Sequence, residues 1–245
     1  MAVDLPLVGK NLHDHLMVFR YWKLRYPGQG LSLGSELFGE NYRKGGPVDW
    51  LVTAPIPTAT LKAAIQKDEG PVEDDHRLLV GPRSHLKMNL LYAVFGREQI
   101  GLQIPIDGKS IMTYFTGCLP TSHGSITLSS NDPAVCPIIY PSYYATETDR
   151  HFMREGFRMH SRLLLEMPKG RELVTGEHVS PGMEILGSDA PDELIDERIR
   201  LGGMTVFHPA GTAAMGKVVN GLLNVYGVKN LRVVDASIVS SIPSI

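Results

Sequence analysis

The 245-residue sequence has little cysteine: only Cys118 and Cys136 are present. Two thiols exclude a disulfide-stapled scaffold, although they leave one pairing open. Residues Met1 to Lys10 lack a charged stretch followed by an apolar core, so no secretory signal is expected. In that setting the thiols read as free and buried, and the protein as intracellular and cytoplasmic. No apolar run approaches the roughly 18 residues of a membrane span. Neither sign of charge is in excess, the formal net charge being −2. That removes the electrostatic case for nucleic acid or an anionic membrane as a partner. Internal repeats and low-complexity tracts are also missing.

What is present is ordinary globular composition, 43% apolar and 20% charged, enough for one large domain or two small ones. Tyr26 to Pro47 is rich in glycine and reads as a loop or lid with one short helix. Leu51 to Gln66 reads as a strand followed by a short helix, and Asp68 to Asp75 as an acidic loop. Leu86 to Phe95 is an apolar strand or buried segment. Residues Ile111 to Thr116 have the β-branched and aromatic content of a strand. Gly124 to Ser129 alternates apolar and polar residues, as a half-buried strand does. Asn131-Asp132-Pro133 is a turn by its chemistry, and Ile138-Ile139-Tyr140 a further strand. From Glu147 to Met167, Phe152, Met153, Phe157, His160, Leu163, Leu164 and Met167 recur at helical spacing, and Pro168 and Gly170 end the run. Asp189 to Glu193 looks like an N-cap opening a helix to about Leu201. Leu231 to Val234 reads as a buried strand. Strands and helices without regular alternation predict an α+β fold, an antiparallel sheet with flanking helices.

Several motifs lack their required context. Gly30-Leu31-Ser32-Leu33-Gly34 has the spacing of a hydrolase nucleophile, but a Pro-Gly loop precedes it where a strand is needed. Gly108-Lys109-Ser110 resembles part of a phosphate loop, yet Gln103 stands in place of its first glycine. His13-x-His15 has no third ligand at metal spacing. Glu177-His178 and the acids from Asp192 to Glu197 read as solvated surface.

His208 sits before Pro209 and a Gly211-Thr212 turn. Imidazole ordinarily titrates near neutrality, so such a residue suits a general base. A histidine merely bonded to backbone is the commoner case on residue chemistry alone. The surrounding residues add weight. Phe207-His208-Pro209-Ala210-Gly211-Thr212-Ala213-Ala214-Met215-Gly216 is followed by Val225, Gly227 and Val228, then by Leu231-Arg232-Val233-Val234-Asp235-Ala236-Ser237. This block resembles the closing signature of the glucose-methanol-choline (GMC) flavin oxidoreductases. Val8-Gly9-Lys10-Asn11-Leu12-His13-Asp14-His15 is similar to a turn of that family. So is the run Pro120-x-Ser122-x-Gly124-x-Ile126-x-Leu128 with Asn131-Asp132-Pro133, and Asp149, Met153 and Gly156-Phe157-Arg158 fit the helix after it.

The resemblance implies alcohol oxidation with hydride transfer to FAD and His208 as the base. It places Asp235, Ala236, Asn11 and His15 against the cofactor. It further implies a remnant of the flavin-domain connection at 1–20, a substrate-binding domain at 21–200, and a signature segment at 201–245 that packs on a flavin domain. The family's dinucleotide fingerprint, a strand, Gly-x-Gly-x-x-Gly and a helix, has no match. Gly28-Gln29-Gly30 is followed by Gly34, one residue too late, and no complete Rossmann unit is expected. The family's second catalytic residue, aligned through Pro243-Ser244, would fall just past Ile245, and Ser240 stands where the family often has proline. Implied partners are therefore a small alcohol-like substrate and either a flavin-domain chain or a second copy. Two other functions stay open: a cofactor-free isomerase, cyclase or lyase that uses His208 for proton transfer, and a non-catalytic binding module that associates through an exposed apolar face.

Overall fold

The computed structural model describes residues 3–39, 44–48 and 50–243. Its main sheet is antiparallel throughout and is ordered β3-β4-β5-β2-β8, with β9 also on β2. The strands are β2 (Leu16–Leu24), β3 (Leu51–Ala54), β4 (Leu86–Leu91), β5 (Ser110–Gly117), β8 (Val174–His178) and β9 (Gly203–Thr205). β2 is central because it pairs along its length with β5, while β9 takes its start and β8 its end. A second sheet joins β1 (Lys10–Leu12), β6 (Gly124–Thr127) and β7 (Ile138–Tyr140).

Side-chain alternation gives the main sheet two dry faces. Val18, Trp22, Ile111 and Phe115 point to a helical layer. That layer holds α1 (Thr58–Glu69), α2 (Glu147–Ser161) and α4 (Asp192–Gly202). Tyr21 and Met112 point the other way, under Val94, Leu102 and Ile104. The residues of α2 that recur at helical spacing, Phe152, Met153, Phe157 and His160, are all buried. Full burial of a side chain such as Phe152 or Phe157 contributes roughly 1.5–3 kcal/mol. Gly156 lets the sheet come close, because a Cβ there would lie 2.5 Å from Phe115. Asp68 closes the start of α2 from outside, accepting the N–H groups of Glu147 and Thr148.

The α+β class and its strands from Leu51 to Tyr140 match the expected pattern. The described part of the Tyr26–Pro47 loop holds one 3-10 turn, Pro27–Gln29. Other expectations need correction. The helix from Glu147 leaves α geometry at Ser161 and passes through a π turn, Arg162–Glu166. Pro168 then opens a short helix, α3 (Pro168–Leu173), because proline suits a first helical turn. α4 begins after Pro191, with no side-chain cap. Leu231 to Val234 is not a buried strand: Leu231 is 48% and Val234 72% exposed. The segment pairs with residues 223–225 through a bridge between Asn224 and Arg232, with Val225 N donating to Leu231 O and Val233 N to Leu223 O. Cys118 is free and buried, whereas Cys136 is free and exposed.

Glu177 is not surface. Arg20 Nε and Nη2 donate to its two carboxylate oxygens at 2.9 and 2.8 Å, and both residues are almost fully buried. Arg20 lies between the rings of Trp22 and Phe157 and also donates to Ser161 Oγ. Asp196 is likewise buried, held by Arg154 and by the hydroxyl of Tyr144. The expected segment boundaries at 20/21 and 200/201 fall inside β2 and α4.

Candidate active site

The segment between β1 and β2 carries His13, Asp14 and His15, all buried. It meets the chain after β9 in an antiparallel exchange: His13 N donates to Ala210 O at 3.0 Å, and Ala210 N to His13 O at 2.9 Å. Val206 N also donates to His15 O. These bonds bring residues 13–15 and 205–210 together despite their separation in sequence.

Asp14 organises the junction. Its Oδ1 accepts the backbone N–H of His15 at 2.7 Å and that of His208 at 3.0 Å. Its Oδ2 accepts the hydroxyls of Tyr143 and Thr205, each at 2.5 Å. Burial, and then the bond to Asp14, push the Tyr143 phenol up to about 12, which keeps it a donor. Thr205 Oγ1 in turn accepts the N–H of Phe207 at 2.7 Å. Phe207 has φ 63°, a left-handed conformation that a bulky residue rarely adopts. The strained residue thus stands immediately before His208, where the chain turns outward.

His208 is exposed, and its Nδ1 lies 3.0 Å from Nδ1 of His15. His15 is 1% exposed, and its Nε2 lies 3.0 Å from the carbonyl of Cys118. Burial holds the His15 imidazole below its ordinary pKa, with the nearby His208 acting in the same direction. An apolar cleft of ≈ 450 Å³ adjoins Asp14, walled by Leu12, Ile126, Ile139, Pro141 and Phe207.

The other expected residues lie nearby. The amide of Asn11 donates to the carbonyls of Gly211 and Ser240. Asp235 caps its own 3-10 turn, Ala236–Ile238, by accepting from Ser237 N. Gly211 N donates to Ala236 O, and Ala213 N and Met215 N continue that seam. The structure therefore gathers His208, His15, Asn11, Asp235 and Ala236 along one seam, with His15 beneath the surface. Pro243 lies at the edge of the described residues, and the position aligned through Ser244 lies outside them. Sequence reading singled out neither Thr205 nor Tyr143 as a partner of Asp14. Thr205 lay three residues from the candidate base, whereas nothing local marked Tyr143.

The decoy motifs are structural. Ser32 is buried and donates to the carbonyls of Tyr92 and Ser110. Among the described residues no group of three or more His, Cys, Asp or Glu side chains could hold a metal. No described helix is long and apolar enough to cross a membrane. For FAD the fit is divided. His208 and Ala236 are both exposed, as contact with a flavin would require. Every strand pairing among the described residues is antiparallel, so no βαβ cradle for the pyrophosphate exists there.

An antiparallel sheet backed by helices agrees with comparisons against known proteins. The GMC oxidoreductase family model matches residues 120–245, and the chain belongs to that family. It is 41% identical over 241 residues to the GMC-type oxidoreductase acuG of Aspergillus aculeatus, covering 98% of this chain and 46% of that protein. It is 30% identical to an oxygen-dependent choline dehydrogenase of Pseudomonas fluorescens, covering 96% of this chain and 39% of that one. Among solved structures it resembles formate oxidase of Aspergillus oryzae RIB40, studied for FAD modification, with TM-score 0.77 and 28% identity. That match covers 99% of this chain and 45% of the other. The chain thus spans less than half the length of the relatives it matches.

Proposed function

We propose that the chain is the substrate-side part of a GMC-type oxidoreductase that oxidises the CH–OH group of a small alcohol. His208 is the base that takes the hydroxyl proton. The observation that carries this reading is the exposed His208 on a turn fixed by Asp14, within a run that resembles the family's histidine motif. General-base help of this kind contributes typically 10²–10⁴-fold in rate. FAD, when bound, supplies the electron-accepting chemistry, and Asn11, Asp235 and Ala236 line the side facing it. The apolar cleft beside Asp14 suits an alcohol with an aliphatic or aromatic body. The missing phosphate cradle calls for a flavin domain from outside the described residues, on a longer polypeptide or a partner chain.

The test is a visible absorbance spectrum of the protein isolated from its native source with whatever copurifies. The expected result is a flavin band that bleaches when an alcohol substrate is added without oxygen. A colourless preparation that takes up no added FAD would sink the redox reading. If such a preparation converted substrate through His208, the cofactor-free alternative would replace it.

A further inference from the structure

His15 touches no surface and is not needed to hold the backbone of His208, which Asp14 already fixes. Its ring nevertheless meets the ring of His208 nitrogen to nitrogen. From this geometry we infer that His15 is a positioning residue that holds His208 in the Nδ1–H tautomer, leaving Nε2 unprotonated.

Four polar atoms form a relay: Cys118 O, His15 Nε2, His15 Nδ1 and His208 Nδ1. The carbonyl of Cys118 only accepts, so His15 Nε2, 3.0 Å away, carries a proton. That carbonyl is itself fixed at the end of β5, where Cys118 N donates to His85 O at 2.9 Å. A buried imidazole is held neutral, and a neutral ring has one N–H, so His15 Nδ1 is left with its lone pair. The atom facing that lone pair at 3.0 Å is His208 Nδ1, which must donate. Neutral His208 then has its own lone pair on Nε2. The reverse assignment sets two lone pairs against each other, or needs a buried cationic His15. Asp14, the carboxylate nearest in sequence, spends its oxygens on two N–H groups and two hydroxyls.

The inference rests on the proposed function only for what the free Nε2 is used for. A second imidazole here does the work that a carboxylate or carbonyl does where it orients a catalytic histidine. Unlike a carboxylate, it selects the tautomer without adding a formal charge.

The experiment is long-range 1H–15N correlation of the imidazole nitrogens in 15N-labelled protein at mildly alkaline pH. His208 is assigned by loss of its signals in His208→Gln. Wild type is expected to show a protonated Nδ1 and a bare Nε2 at His208. His15→Leu, which removes the acceptor, shifts His208 toward the Nε2–H form that free imidazole favours, while His15→Gln, which keeps an accepting oxygen, restores Nδ1–H. Wild-type His208 in the Nε2–H form overturns the inference even if His15→Leu fails to fold. So does a His208 tautomer unmoved in a folded His15→Leu protein. If His208→Ala leaves alcohol oxidation intact while the tautomer is as stated, the proposed function falls and this inference stands.

Discussion

The backbone N–H of His208 donates to Asp14 Oδ1 at 3.0 Å, across 194 residues of sequence. One buried carboxylate therefore aims the candidate base, and it does so through the main chain. Asp14→Ala would leave two N–H groups and two hydroxyls without their acceptor, at a cost of roughly 2–4 kcal/mol. Asp14→Asn keeps one accepting oxygen and is expected to cost about half as much. Urea unfolding of the three proteins checks the order, and equal stability of wild type and Asp14→Ala would refute it.

A buried ion pair gives a second outcome. Removing Glu177 strands the Arg20 guanidinium at 1% exposure between two rings. Glu177→Ala is expected to cost about 3–5 kcal/mol, and adding Arg20→Met should recover much of that loss. A double-mutant cycle by denaturant unfolding measures the coupling. Additive losses would show that the pair is not a unit.

Acid should weaken the fold through its histidines. Burial, and then Arg20, push the fully buried His160 imidazole down from 6.5 to about 3. Its contribution is fully present above the unfolded value. As pH falls from 6.5 toward 3, only the unfolded chain binds the proton, and stability drops by up to about 1.4 kcal/mol per pH unit. His13, pushed down to about 4 by burial and then by His123, adds to the loss between 6.5 and 4. Unfolding free energy measured at intervals between neutrality and mild acid should flatten in His160→Gln relative to wild type.

Gly211 makes a close approach in the seam. It has φ +90°, and a Cβ there would lie 2.2 Å from Asn11 O and 2.6 Å from His13 Cε1. Gly211→Ala is expected to cost roughly 2–3 kcal/mol. Gly216 shares the positive φ, at +80°, but has open space around it. Gly216→Ala should therefore cost only the backbone strain, about 1 kcal/mol. Paired melting curves check the contrast, and equal losses would remove steric crowding as the cause.

Much of the helical layer was legible in the sequence, because α2 buries one face and its apolar residues recur accordingly. β6 was legible at period two, and β5 by its β-branched and aromatic content although it is buried on both faces. β2 was not, since both its faces are covered and Leu16–Leu24 shows no alternation. Arg20, Glu177 and Asp196 look like surface charges in sequence. Only the fold shows each paired in the interior. Leu231 to Val234 misled in the opposite sense, as an apolar run with little described structure to cover it. In the site, His208, Asn11, Asp235 and Ala236 came from a motif that fixes residue types at fixed spacing. Tyr143 and the carbonyl of Cys118 came only from tertiary contact, which no local pattern encodes.

In the proposed reaction His208 takes the substrate's hydroxyl proton. The most direct test of that role is the rate of flavin reduction by an alcohol in a single anaerobic turnover, comparing wild type with His208→Ala in protein isolated from the same cells. The variant is expected to be slower by roughly 10²–10⁴-fold, with the flavin still bound. An unchanged rate in His208→Ala would contradict that role.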